Sequence, residues 1–359
     1  MAQPKKRQLS SKRVPVFVLT GFPGSGKTTV LNHLLKQPDL ARSLVLINEY
    51  GAVGLDHDLV TYSRDDTVVE MANGCVCCTI RSDLVRTLYE APGRFSRDGV
   101  PWFDRVVIET TGLADPAPII QTLMREEVLQ VRFSLAGVVT AVDAVNGNAT
   151  LRRQPEAVKQ VAVSDRLLLT KTDLVEAAEL LTLKKRLRVL NPAAPQFVTS
   201  NGVVAPAELL DIGPYEPTSK ITEVQTWLKG EAYEAGPHEN AHSVHEEDGD
   251  DHHYGLNRHG TGIKAFCFTL DEPVSGRALD AWLEALLRWR GEDFLRVKGI
   301  VHVAELGLPM VIHGVQHIFH PPFVLKEWPS EDRRTRIVFI TRDIAESTLR
   351  ETLALFQKA

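Results

Sequence analysis

The octapeptide Gly21-Phe22-Pro23-Gly24-Ser25-Gly26-Lys27-Thr28 restricts the fold more than any other stretch of the chain. It fits the pattern G-x-x-x-x-G-K-[ST], and the apolar run VPVFVLT at 14–20 stands directly before it. A strand that ends in such a loop and passes into a helix makes a phosphate cradle. The glycines let consecutive backbone N–H groups turn inward, and the helix N-terminus adds a favourable dipole. The pattern assigns Gly21, Gly24, Ser25, Gly26, Lys27, Thr28 and Thr29 to a bound nucleotide. Lys27 is expected to bridge the β- and γ-phosphates and Thr28 to hold Mg²⁺. The competing reading, a tight glycine turn with no ligand, does not account for the strand before it and the helix after it.

Such a loop needs a parallel sheet around it, and short β-branched runs alternate with helical patterns through the first two hundred residues. The runs lie at 14–20, 43–49, 67–72, 105–110, 135–143, 166–173 and 195–200, and the helical patterns at 28–36, 82–90, 117–127, 156–163 and 177–190. The runs are apolar on both faces, so helices are expected to cover both. After about Trp227 the pattern changes, and residues 229–262 carry glycine, histidine and acid with little apolar content. Beyond them strands are predicted at 263–270, 294–303, 309–315 and 336–341, with a shorter one in QHIFH. Helices are predicted at 278–290 and from Ile344 onward. The expected architecture is an α/β P-loop domain with a mainly parallel sheet, followed by a smaller α+β domain with a mostly antiparallel one. The boundaries read as a basic tail at 1–13, the P-loop domain at 14–228, a linker at 229–262 and the second domain at 263–359. Two domains suit a chain of 359 residues, since a domain usually takes ~100–200.

Two further motifs refine the nucleotide. Thr170-Lys171-Thr172-Asp173 resembles the N-K-x-D guanine element of GTPases, with Thr170 in place of asparagine. A carboxylate at Asp173 can accept from guanine's N1–H and its exocyclic amine, a donor pair that adenine lacks, while the Lys171 stem covers the base. GTP is therefore the expected ligand. Glu109-Thr110-Thr111-Gly112 ends another apolar run, where Glu109 can order Mg²⁺ directly or through water and Gly112 can offer its N–H to the γ-phosphate. Lys27 and Glu109 are the catalytic candidates.

Three of the four cysteines, Cys75, Cys77 and Cys78, fall within four consecutive positions. The spacing is neither a disulfide framework nor a redox C-x-x-C, and it reads as a metal or reactive-thiol site in a reducing compartment. Three thiolates suit Zn²⁺, with a carboxylate or water as fourth ligand; buried, inert cysteines are the bland alternative. Six of the twelve histidines lie between His238 and His259, interleaved with acids. Of these His242, His245, His252 and His253 are candidates for a metal-loading segment, against the alternative of a merely solvated acidic linker. A net charge of −5 argues against nucleic-acid coating or an anionic membrane as partner. The longest apolar-looking run, 133–142, is too short and too polar to span a bilayer. The tail leads into no secretory h-region, so a cytoplasmic location is expected.

Taken together, GFPGSGKTT, INEYG (47–51), NGCVCC (73–78), VIETTGLADP (107–116) and LLLTKTD (167–173) resemble the CobW family of metal-handling P-loop GTPases. That group includes zinc metallochaperones, cobalt-handling proteins and nitrile hydratase activators. KAFCFTLDEP, FLRVKG and HGVQHIF are similar to its C-terminal domain, so the resemblance spans nearly the whole chain. It implies a metallochaperone that hydrolyses GTP to GDP and phosphate and hands a divalent metal, Zn²⁺ or alternatively Co²⁺, to a client metalloprotein. By match of motif it makes Glu49, Cys75, Cys77 and Cys78 the site of the transported metal, with Glu49 in the first switch. Some relatives carry a second Glu where this chain has Ala52-Val53, and some a His near Arg125 or Glu126, so their extra surface sites are not expected here. The alternatives are a GTP-switched metal sensor or scaffold, a cobalt chaperone for cobalamin or nitrile hydratase, and, less favoured, a kinase-like phosphotransferase. A monomer and a metal-dependent oligomer are both compatible with the sequence.

Overall fold

The computed structural model describes residues 13–40, 42–48, 68–70, 78–97, 100–199, 202–207 and 262–358. The first apolar run forms β1 (Val14–Thr20), buried from Val16 onward. The glycine loop follows and opens α1 (Lys27–Leu35). Next come β2 (Ser43–Asn48), β3 (Val68–Glu70), α2 (Cys78–Arg94), a small hairpin of β4 (Ser96–Arg97) and β5 (Val100–Pro101), and β6 (Arg105–Thr110). The first half closes with α3 (Ala117–Arg125), α4 (Glu127–Gln130), β7 (Phe133–Asp143), α5 (Gly147–Arg153), α6 (Pro155–Val163), β8 (Arg166–Thr170), α7 (Ala177–Leu190) and β9 (Gln196–Val198).

Among the described residues these strands form one parallel sheet in the order β3-β2-β6-β1-β7-β8-β9. Alternate residues of β1 face opposite layers. Val16 and Val18 join Leu84, Leu88, Ile120 and Leu123 of α2 and α3 on one side. Leu19 joins Val30, Leu31 and Leu34 of α1 on the other. Each such side chain contributes roughly 1.5–3 kcal/mol when fully buried, and burial on both faces is why these strands read as continuous apolar runs rather than alternating ones. Because β1 lies between β6 and β7, chain connections diverge on either side of it. Ligands of open parallel sheets bind at such a point, outside the carboxyl ends of the strands.

The second set of elements is β10 (Ile263–Leu270), α8 (Gly276–Arg290), β11 (Phe294–His302), β12 (Pro309–Val315), β13 (Ile318–Phe319), β14 (Phe323–Val324), β15 (Thr335–Arg342) and α9 (Glu346–Lys358). The strands pair antiparallel in the order β10-β15-β11-β12-β13, and β14 also joins β12. Leu279, Trp282 and Leu286 share one face of α8 at helical spacing and are buried on the sheet. Trp282 stacks on Phe268 at 5.9 Å and donates its indole N–H to Thr352 Oγ1 of α9 at 3.0 Å, so the one polar atom of that core side chain is satisfied.

Several boundaries differ from the sequence expectations. The helix expected at 82–90 runs Cys78–Arg94, and of the run at 67–72 the described residues are Val68–Glu70, which form β3. The run at 166–173 stops as a strand at Thr170, because Lys171 adopts φ 55° and residues Thr172–Leu174 form a short 3-10 turn. Helix α5 was not expected, since GNATLRR has no apolar period and buries only Gly147 and Leu151. The closing helix begins at Glu346 rather than Ile344. Residues 229–261 of the expected linker, and the tail before Arg13, lie outside the described residues.

The two sheets meet at the turn between α6 and β8. Asp165 sits there with its side chain 4% exposed, paired with Arg296 and, at 2.7 Å, with Lys298, both from β11. Arg296 also donates to the Val163 carbonyl at the end of α6. The other Asp165 oxygen accepts the Val138 N–H at 2.9 Å. Burial alone would raise the Asp165 carboxyl, but the charges of Arg296 and Lys298 hold it well below the usual carboxylate range. Burial and the same two cations keep His313 neutral. Asp165→Asn should therefore leave buried cations uncompensated and cost about 3–5 kcal/mol at pH 7. Because the folded-state pKa is depressed, the wild-type advantage is complete above the ordinary value of 3.8 and is lost as pH falls below it. Urea midpoints of both proteins check this: the gap between them should hold from pH 7 to about pH 4 and narrow only below that.

Candidate nucleotide site

The glycine loop leaves β1 at Thr20 and tightens through a turn in which the Ser25 N–H donates to the Phe22 carbonyl at 3.0 Å. Gly26, which caps α1, has φ 86°, a left-handed conformation that side-chain-bearing residues adopt only under strain. Its backbone can therefore turn straight into the helix. Lys27 is buried at 8% exposure and curls back along the loop, donating to the Gly21 carbonyl at 2.9 Å and the Phe22 carbonyl at 3.5 Å. Its charge is thus held against the concave side of the backbone that the motif assigns to phosphate.

The sheet register brings the remaining elements to the same edge. Leu19 pairs with Glu109, Thr20 with Thr140, and Asp143 with Thr170. Across the first pairing the Thr28 hydroxyl donates to Glu109 Oε1 at 3.2 Å, with Glu109 5% exposed. A hydroxyl and a carboxylate meeting at the mouth of a phosphate loop are hard oxygen donors, and this set fits Mg²⁺ better than a thiophilic ion. Behind them Thr110 and Thr20 share a buried hydroxyl hydrogen bond of 2.8 Å that ties β6 to β1. Gly112 follows and lies so close to the loop that a Cβ there would fall 2.5 Å from the Pro23 nitrogen. Only glycine permits that approach.

Thr170, in the place of the asparagine of the guanine element, ties its strand to the loop. Its buried hydroxyl donates to the Ser25 carbonyl at 2.7 Å and lies 3.3 Å from the Val142 carbonyl, so the end of β8 is bolted to the loop. Lys171, left-handed, reaches Asp143 Oδ2 at 2.8 Å. Burial would raise the Asp143 carboxyl, but hydrogen bonds from Lys171 and Asn146 hold it below the usual carboxylate range. Asp173 stands exposed in the turn that follows. Thr29 is exposed on α1 and lies against Gly202, whose Cβ would fall 2.9 Å from the threonine methyl. A cavity of about 390 Å³ opens beside the loop, walled in part by Phe22, Gly24, Ser25, Asp143 and Lys171. Its volume falls within the range of small-molecule sites.

The structure thus gathers Gly21, Gly24, Ser25, Gly26, Lys27, Thr28, Glu109, Gly112, Thr170, Lys171 and Asp173 at one edge. Glu49, Cys75, Cys77, His242, His245, His252 and His253 lie outside the described residues, and so does the Cys78 side chain, although its backbone opens α2. Among the described residues no group of three or more metal-ligating side chains occurs. Asp143 escaped the sequence reading; its signal was a carboxylate ending the run just before the guanine element. Gln160 also belongs to this edge and carries no local signal, and Asp115, within VIETTGLADP, was assigned no role.

Residues 15–198 match the family described as CobW/HypB/UreG, nucleotide-binding domain, and residues 263–357 match the cobalamin synthesis protein cobW C-terminal domain. The zinc chaperone YjiA of Escherichia coli K12 is 30% identical over 345 residues, covering 96% of this chain and 99% of that one. The zinc-regulated GTPase metalloprotein activator 1 of Schizosaccharomyces pombe is 29% identical over 354 residues, covering 92% of this chain and 83% of that one. The crystal structure of the Zn(II)-bound YjiA GTPase from E. coli superposes with a TM-score of 0.67 at 26% identity, over 96% of this chain and 99% of that one.

Replacing Thr170 by valine keeps the shape of the side chain and removes the donor to the Ser25 carbonyl. The variant should lose about 1–3 kcal/mol of stability. Hydrogen exchange at the amides of 25–27 should accelerate more than exchange in the second sheet.

Proposed function

This chain belongs to the CobW/HypB/UreG family of P-loop GTPases, and on that premise we propose that it couples GTP hydrolysis to the delivery of zinc to a client protein. The observation that supports this best is topological. Glu109 is the penultimate residue of β6, Glu49 directly follows β2 in sequence, and Cys75, Cys77 and Cys78 come in sequence between β3 and the first turn of α2. These three strands are parallel neighbours in the order β3-β2-β6, next to β1 and its loop. The carboxyl ends of β3, β2 and β6, after which the candidate metal donors and the nucleotide-reading residues come in sequence, therefore lie on adjacent parallel strands. The names of the zinc-handling relatives favour zinc over cobalt.

In this reading Asp173 accepts the guanine N1–H and amine, and the Lys171 stem covers the base. Lys27 swings from its carbonyl partners to the β- and γ-phosphates and stabilises the charge that builds as water attacks the γ-phosphorus and the bond to the β-phosphate oxygen breaks. Thr28 and Glu109 are the residues that would hold Mg²⁺, which neutralises phosphate charge when bound. Gly112 offers its N–H to the γ-phosphate, so the segment after β6 differs between GTP and GDP states. Glu49 and the three thiolates form the zinc site, and the histidines at 242–253 form an arm that loads it.

Linkage makes this testable. If GTP tightens zinc, zinc must tighten GTP by the same factor, of order 5–150-fold for ordinary couplings. Zinc affinity should be measured against a chromophoric chelator with GDP and with a non-hydrolysable GTP analogue, and analogue affinity with and without zinc. Equal, reciprocal tightening is expected, and deleting 238–259 should slow loading at limiting zinc without changing it. Zinc affinity indifferent to nucleotide would reject the coupling.

A further inference from the structure

Gln160 is fully buried on α6, far from any motif, yet it touches the segment that follows Glu109. Its Nε2 donates to the Gly112 carbonyl at 3.0 Å and to the Ala114 carbonyl at 3.1 Å. Two carbonyl acceptors fix the orientation of the amide, since only its nitrogen can serve both. Its backbone carbonyl accepts the Thr140 hydroxyl at 2.9 Å, and Thr140 lies opposite Thr20, the last residue of β1. The residue is therefore anchored to the sheet on one side and grips the switch segment on the other. Its Oε1 is buried with no hydrogen-bond partner among the described residues. A glutamine kept for packing alone would not retain such an atom, because an unsatisfied buried acceptor costs about 1–3 kcal/mol.

The helix that carries Gln160 is held by the other domain. One turn on, the Val163 carbonyl accepts from Arg296, and Asp165 pairs with Arg296 and Lys298. One residue earlier, Lys159 lies 3.5 Å from Asp115 in the switch segment, and Asp115 also accepts from Gln316 of the second domain at 3.3 Å. The span from Gly112 to Asp115 is thus fixed by α6 and by the turn between β12 and β13, and α6 is itself fixed by β11.

We propose that Gln160 is a positioning residue for GTP hydrolysis: it holds the Gly112–Ala114 backbone where the Gly112 N–H meets the γ-phosphate, in a frame set by the C-terminal domain. This rests on the reading of Gly112 as the γ-phosphate contact. The consequence is selective. Gln160 lines the cavity beside the loop, but both side-chain hydrogen bonds go to the segment after Glu109, so its loss should weaken a γ-phosphate contact more than the contacts GDP and GTP share.

Gln160→Met keeps the length of the side chain and removes both donors, and Gln160→Glu replaces the donors by an acceptor facing two carbonyls. Three readouts separate positioning from mere folding: affinity for GDP, affinity for a non-hydrolysable GTP analogue, and kcat. Both variants should bind GDP within about twofold of wild type, bind the analogue at least tenfold more weakly, and show kcat reduced at least tenfold, with the charged variant worse. Hydrogen exchange at the amides of 113–115 in nucleotide-free protein should accelerate in Gln160→Met. Unchanged exchange there would overturn the positioning role whatever the activity. Faster exchange with unchanged analogue affinity and kcat would overturn instead the assignment of Gly112 to the γ-phosphate. Equal losses for GDP and analogue would reduce Gln160 to a structural residue and overturn the proposal.

Discussion

The register of β1 between β6 and β7 decides where every nucleotide-site candidate lies. A phosphate loop works only if its amides, its lysine and the carboxylate of a neighbouring strand converge, and convergence is a matter of which residue pairs with which. With Leu19 opposite Glu109 and Thr20 opposite Thr140, the loop, the acidic strand end and the strand leading to Asp143 emerge level with one another. A slip of one residue would turn Glu109 to the other face of the sheet. What resists the slip is the burial of Val16 and Val18 on one layer and Leu19 on the other, together with the Thr110–Thr20 hydrogen bond. The core therefore does more than stabilise the domain, since it sets the register on which the site is built.

The junction between the sheets follows a different physics. Removing an aspartate and two cations from water is costly, and their mutual attraction repays it only when geometry is good. Asp165 meets that condition by taking Arg296, Lys298 and a backbone N–H together, while Arg296 also satisfies a helix-end carbonyl. Such an arrangement fixes orientation more than it adds stability. It holds α6 in one place relative to β11, and α6 carries Gln160, which donates to the Gly112 and Ala114 carbonyls after β6. Apolar contacts reinforce the docking, with Ala162 against Leu295 and Ile340, and Val315 and Ile318 in the cluster that also contains Ile120 and Leu123.

Much of this was legible in the chain before the structure. The loop motif, the acidic strand end and the guanine element are short and contiguous, and buried parallel strands advertise themselves as apolar runs. The antiparallel second sheet was equally readable from runs separated by turns. Helix α5 was not, because Gly147, Asn148 and Thr150 offer neither propensity nor period, and the helix is held by two buried residues and its neighbours. Lys171 was read as the continuation of a strand, and its left-handed turn depends on Thr170 being tied to Ser25 across the fold. The contacts of Gln160, Asp115 and Gln316 were unreadable for a similar reason, although the latter two lie within recognised motifs. The Gln160–Ala114 and Gln316–Asp115 contacts span 46 and 201 residues of sequence, and no local pattern records a polar contact at that range. The cysteine and histidine candidates could be recognised by donor type, but the described residues do not extend to them.

The account holds that one sheet edge reads the nucleotide and carries the metal, so that the chemical step at the γ-phosphate and the loss of zinc are a single sequence of events. The most direct measurement is a single turnover of the zinc-loaded, GTP-bound protein, with phosphate release and zinc release followed together by a phosphate sensor and a chromophoric chelator. Zinc should leave at or after the rate of phosphate formation, and should stay bound when the non-hydrolysable analogue replaces GTP. Zinc that departs equally fast with the analogue, or before any phosphate forms, would contradict it.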